Sequence, residues 1–381
     1  MRILRGKVVT PFQVIDQGQV EFEGSTIQYV GHRRTSNGEV SDYRDSIIAP
    51  GFIDLHIHGL AGYDAMDSDP ESIQQISRHL AEKGVTGFLV TLQTAPHKDI
   101  IEVLKRVREI TASGVSGAKV LGSHLEGPCI SPKKIGAQKE HIRKPSRQEL
   151  EEIINAADGT LKLVTLAPEI DGGLEAVQYL RERDVIVSAG HTDASYDEAY
   201  CAFDAGVSLL GHLWNGMRGL NHREPGIIGA GLEKENIMVE LIADCHHVHP
   251  MILGLSFRLK GAEKIVLVSD SIKPAGLTGS EYVFDGRKYI IEDGLVKLDS
   301  GVIAGSSIGL NDAVRNMVEK ARVSIPEAIQ MASYTPSKAL GLTTKGMLEH
   351  GYNADIVVLD DGFDVQETIV EGITVYKRSN P

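Results

Sequence analysis

The chain has 381 residues, 42% of them hydrophobic, and a formal net charge of −13. That length suits one large α/β domain with a small companion, and the charge argues against nucleic acid or an anionic membrane as partner. The three cysteines (Cys129, Cys201 and Cys245) match no zinc-knuckle or CxxC spacing and read as reduced thiols; no apolar run approaches the roughly 18 residues of a membrane span and no signal-peptide core is evident, so the expected compartment is the cytoplasm.

Residues 1–49 read as β. Runs such as Lys7-Val8-Val9, Gln19-Val20-Glu21-Phe22 and Thr26-Ile27-Gln28-Tyr29-Val30 are short, broken by Gly24, Gly31 and Gly38, and show no helical period. The C-terminal end has the same texture, at residues 354–359, 367–370 and 373–376. Two β segments too short to stand alone predict one small β-sandwich built from both termini, residues 1–50 plus 345–381, around an inserted domain at 51–344.

The inserted stretch alternates strand and helix. Asp69-Pro70 supplies a helix start, and Ile73, Ile76 and Leu80 then share one face. Further helical periods fall at 97–110, 147–156, 174–183, 195–205, 250–260 and 310–321. Apolar runs lie at 52–57, 85–91, 119–125, 161–166, 185–189, 207–213, 237–242 and 264–269. This alternation predicts a (β/α)8 TIM-like barrel. A doubly wound open sheet is the rival, but no GxGxxG opens a helix after the first strand.

In a barrel, catalytic groups gather at the C-terminal ends of strands. Strand one ends in His56-Ile57-His58, where residues i and i+2 share a face. Strand three runs into His124-Leu125-Glu126, strand five into Gly190-His191, strand six into Gly211-His212, and strand eight into Ser269-Asp270. A lone histidine at such a place is more often a hydrogen-bonded rim residue. Ligand-type residues at five of eight ends favour a metal site instead. Imidazole plus carboxylate suits Zn²⁺, Fe²⁺, Co²⁺ or Mn²⁺ rather than Ca²⁺ or Mg²⁺. Glu126, His191 and His212 as protein ligands leave a position open for water, and Asp270 is a free carboxylate able to carry a proton.

These residues resemble a known group. Pro50-Gly51-Phe52-Ile53-Asp54 running into His56 and His58 is similar to the amidohydrolase superfamily. His124-Leu125-Glu126-Gly127-Pro128, His212-Leu213-Trp214-Asn215, Arg223-Glu224-Pro225-Gly226, His247 and Ser269-Asp270 resemble its branch of deacetylases acting on N-acetylglucosamine 6-phosphate. The resemblance implies an amidase in amino-sugar metabolism that yields glucosamine 6-phosphate and acetate. It implies Glu126, His191 and His212 as the main metal ligands and Asp270 as the acid/base. Ala137, Gln138, Asn215, Gly216, Arg223 and Ser306 are then expected to contact substrate, with His247 reaching in from the partner subunit of a homodimer or dimer of dimers.

Some members lack the HxH pair and use one ion. With His56 and His58 present, the chain has the residues for a second ion bridged by Glu126, so one or two divalent ions per subunit are in play. Strand four ends in Leu166-Ala167-Pro168, so a bridging carboxylated lysine is not on offer there. Gln138 stands where some members have a histidine. Three rivals stay open at this point: the galactosamine epimer or another N-acyl amine as substrate, a non-catalytic scaffold, and a second metal cluster at His246, His247 and His249. Filled ligand positions weigh against the scaffold.

Overall fold

The computed structural model describes every residue except 285, 293, 294, 380 and 381; the last two close the expected terminal segment 345–381 and lie outside the described residues. Eight parallel strands pair in chain order: Phe52–Ile57, Val85–Leu92, Lys119–Glu126, Leu161–Leu166, Ile186–Ala189, Leu209–Leu210, Met238–Ile242 and Ile265–Val268. Each lies within or overlaps a run predicted from the sequence. The last strand returns to the first, where Asp270 N–H donates to His56 O at 2.9 Å and His58 N–H to Ser271 O at 3.0 Å. The sheet is therefore a (β/α)8 barrel. Its interior is filled by Ile53, Leu55, Leu89, Leu163, Leu209, Ile242, Val266 and Val268, while the alternate residues Phe52, Phe88, Val164, Val239 and Leu241 join the core under the helices. That packing makes a firm floor beneath the strand ends.

The outer helices follow their local signals. Helix Glu71–Ala81 begins where Asp69 Oδ1 accepts from Glu71 N–H at 2.9 Å, and it buries Ile73, Ile76 and Leu80. Helix Tyr196–Ala205 starts on a capping box between Ser195 and Glu198. Helices Gly226–Glu233, Ile325–Ala332 and Tyr334–Ala339 were not expected. The first of these reads Gly-Ile-Ile-Gly-Ala-Gly-Leu-Glu, whose glycines obscure the period.

The chain ends share one seven-stranded sheet. Its middle is Ile356–Leu359 beside Glu39–Pro50 and Arg2–Thr10. Leu4, Val8, Val20, Phe22, Ile27, Ile48, Ile356, Val358 and Ile369 meet in a core separate from the barrel's, the expected small β-sandwich. A further four-stranded antiparallel sheet, Glu281–Phe284, Arg287–Glu292, Leu295–Leu298 and Ile303–Ser306, was not expected. It forms a flap whose residues reach the mouth of the barrel.

Candidate metal centre

Four imidazoles converge on one carboxylate. Glu126 Oε1 lies 3.0 Å from His212 Nε2, 3.1 Å from His191 Nε2 and 3.4 Å from His56 Nε2. Glu126 Oε2 lies 3.2 Å from His58 Nε2. The far nitrogens of three rings are already engaged. His191 Nδ1–H donates to Lys134 O at 2.8 Å, His212 Nδ1–H to Asn215 O at 3.1 Å, and His56 Nδ1–H to Glu240 Oε2 at 2.9 Å. Those bonds set the tautomers, so each Nε2 turns a bare lone pair inward.

The Nε2 atoms of His56 and His58 are 3.2 Å apart, as are those of His191 and His212. In the His191–His212 pair these are facing lone pairs, which repel in a buried site, and a cation between them removes the conflict; in the other pair His58 Nδ1 has no partner among the described residues, so its Nε2 is free to serve as a ligand. Two groups of donors meet that description, His56, His58 and Glu126, and Glu126, His191 and His212, each within 4.8 Å. The donor set therefore fits one or two divalent ions, with Glu126 common to both.

Without a cation, protons take its place. His58 is subject to burial, which works against charge, yet its hydrogen bonds to Asp270 and Glu126 win and push it up to about 9. His56 is raised on the same balance, with Asp270, Glu126 and Glu240 outweighing burial. Burial works against the charged form of Glu126 too, but the surrounding histidines hold it well below the usual carboxylate range.

The strand ends are bent to aim these groups. His191, His212 and Asp270 have φ of 47°, 29° and 46°, a left-handed region uncommon for such residues and often found at functional sites. Asp270 Oδ1 sits 3.5 Å from both His56 Nε2 and His58 Nε2. His124 is held by Thr91 and Thr165 and stands in neither donor group.

The cluster opens into a cleft of about 310 Å³ lined by His58, Glu126, His191, His212 and Asp270. Ala137, Gln138, Asn215 and Gly216 line it as well. Gln138 reaches inward, donating to Glu126 Oε2 and accepting from Thr94 N–H. Three of the expected contact residues are placed as follows. His247 lines the cleft of its own chain, its ring held by Asp244 Oδ2 at 2.6 Å. Arg223 is exposed and is not part of the wall. Ser306 is buried and donates to Ser269 O, while Ala304 and Gly305 form the wall beside it. Among the described residues, His246, His247 and His249 form no donor group.

Other residues of the wall carry no expectation from the sequence. Asp64 lies beside His58, and Lys273 pairs with Asp67 at 2.5 Å. Arg287 and Tyr289 come from the flap, where Arg287 donates to Ala137 O at 2.7 Å. In the sequence, the Asp285-Gly286 pair between Tyr282-Val283-Phe284 and Tyr289-Ile290-Ile291 is a readable hairpin signal.

A barrel with histidines and carboxylates at its strand ends is the architecture of metal-dependent hydrolases. A family model described as the amidohydrolase family matches residues 47–375, and the chain belongs to that family. It is 41% identical over 335 residues to an N-acetylgalactosamine-6-phosphate deacetylase of Escherichia coli O157:H7, covering 87% of this chain and 89% of that one. It is 37% identical over 373 residues to an N-acetylglucosamine-6-phosphate deacetylase of Bacillus subtilis, covering 96% and 94%. A solved Mycobacterium smegmatis N-acetyl-D-glucosamine-6-phosphate deacetylase mutant, in complex with N-acetyl-D-glucosamine-6-phosphate, superposes with a TM-score of 0.94 at 28% identity over 99% of both chains. Among the described residues, no helix is long and apolar enough to cross a membrane.

Proposed function

We propose that this chain hydrolyses the acetamide of N-acetyl-D-glucosamine 6-phosphate to glucosamine 6-phosphate and acetate. The observation that carries the reading is the convergence of four imidazoles on Glu126 with Asp270 beside them. Glu126, His191 and His212 would hold the main ion, and His56, His58 and Glu126 would hold a second. Zn²⁺ or Fe²⁺ suits these donors best, with Co²⁺ and Mn²⁺ also compatible. Bound there, a divalent ion supplies Lewis acidity toward water and the amide carbonyl.

The chain's own groups do the rest. Asp270 takes a proton from the attacking water and delivers it to the departing amine nitrogen. As the C–N bond breaks, the water oxygen stays with the acetyl carbon as acetate. Asn215, the Gly216 backbone and His247 receive the sugar phosphate, and Ala137, Ala304 and Gly305 shape the wall toward the acyl group. Gln138 steadies Glu126. Arg223 and Ser306 lie outside the wall and are assigned no contact within this chain. The reading divides the chain into a catalytic barrel at 51–344 and a small β domain from 1–50 and 345–381, working as a cytoplasmic homodimer or dimer of dimers.

A second substrate is favoured by one observation, the 41% identity to a deacetylase of the galactosamine epimer. One hydroxyl's orientation separates the two sugars. Acetate release by the metal-loaded enzyme from each sugar phosphate decides between them. A higher kcat/KM for the galacto epimer would replace the gluco assignment, and no release from either would sink the deacetylase reading.

A further inference from the structure

A carboxylate lies inside the barrel below the cluster. Glu240 sits on the strand Met238–Ile242, pointing the same way as the interior residue Ile242, and is fully buried. A charged group in that place is costly unless it is bonded, and a leucine would fill the space without that cost. Glu240 Oε2 accepts from His56 Nδ1–H at 2.9 Å and from the His212 backbone N–H at 3.1 Å. Its backbone carbonyl accepts from Leu213 N–H at 2.9 Å. Glu240 Oε1 has no partner among the described residues.

Two separate strand ends thus hang on one side chain. At the first, Glu240 fixes the His56 ring with Nδ1 protonated and Nε2 bare toward Glu126. At the other, it satisfies the N–H that leaves the ladder where His212 turns into its left-handed conformation. We propose that Glu240 is the positioning residue of a two-ion centre, setting the His56 imidazole for the second ion while anchoring the turn that carries His212. The proposal rests on the two-ion reading above. Loss of such an outer partner typically weakens metal affinity about 10- to 100-fold.

The test is cobalt(II) titration of the metal-free full-length protein, followed by absorption spectroscopy and by proton NMR of the exchangeable imidazole N–H signals. Wild type takes up two ions. Glu240→Leu weakens uptake of the second ion by about 100-fold and Glu240→Gln by about tenfold, because the amide oxygen still accepts the His56 N–H. The N–H signal that vanishes in His56→Asn also vanishes in Glu240→Leu and is retained in Glu240→Gln. In the His56→Asn background, Glu240→Gln changes uptake of the second ion no further. A wild type that takes up a single ion overturns the two-ion reading, and this one with it. Two-ion uptake at wild-type affinity in the Glu240→Gln and Glu240→Leu proteins overturns the Glu240 role alone, and so does an additive loss in the double variant. Should Glu240→Leu fail to fold, the isosteric Glu240→Gln decides on its own.

Discussion

Asp270 Oδ1 lies 3.5 Å from His58 Nε2, so the group assigned to proton transfer touches the pair assigned to the second ion. The two roles are coupled in space, although the residues are more than 200 positions apart in the chain. Replacing Asp270 by Asn keeps the shape and removes the base. The expected result is a kcat lower by about 10²- to 10⁴-fold, with metal content at Glu126, His191 and His212 retained. Near-normal turnover by Asp270→Asn would take that residue out of the mechanism.

The raised histidines make metal uptake depend on pH. His58 moves from 6.5 to about 9 in the ion-free protein, where burial is outweighed by Asp270 and Glu126. A histidine raised on folding contributes stability in full below pH 6.5, and the contribution fades as pH rises through 9. An incoming ion has to expel that proton, so uptake strengthens as pH climbs toward 9. Calorimetric titrations in buffers of different ionisation enthalpy should record proton release at pH 7. Uptake that does not vary between pH 6.5 and 9 would contradict the assignment.

The flap is tied to the barrel by Arg287, whose guanidinium donates to Ala137 O at 2.7 Å. A hydrogen bond from a charged group is worth about 1.5–3 kcal/mol. Arg287→Ala frees this edge of the cleft, and KM should rise about tenfold or more, in line with that energy, while kcat changes little. Steady-state kinetics on the sugar phosphate measures it; an unchanged KM would mean that the flap contributes no binding energy through this contact.

Much of this was legible in the sequence because the barrel repeats a local pattern. Each apolar run is a largely buried strand, and five of the eight run into a histidine or carboxylate, so His56, Glu126, His191, His212 and Asp270 could be picked out without a structure. Glu240 could also have been found, since a carboxylate in the middle of Met238-Val239-Glu240-Leu241-Ile242 breaks an otherwise apolar run. What could not be read was tertiary. Whether His247 faces its own cleft depends on how Asp244 holds the loop. Whether Ser306 faces solvent or Ser269 depends on the flap's return to the last barrel strand, where Ser306 N–H donates to Asp270 O at 2.9 Å. The flap's four short strands follow the last barrel strand and lie outside the strand–helix alternation that makes the barrel legible.

Mutation can separate the two donor groups from each other, because they share one carboxylate. His58 belongs to one donor group and Glu126 to both. His58→Asn should therefore lose one ion and keep the other, whereas Glu126→Gln should lose both and bring turnover to background. The same contrast should appear in melting temperature, because an ion that binds only the folded chain stabilises it by about 2.7 kcal/mol when present at 100 times its Kd. Added Zn²⁺ should raise the melting temperature of wild type most, of His58→Asn less, and of Glu126→Gln not at all. Elemental analysis of the three proteins, purified in parallel, gives the stoichiometry directly. A Glu126→Gln protein that still holds one tightly bound ion would show that the imidazoles suffice for one site, and Glu126 would then no longer be the bridge.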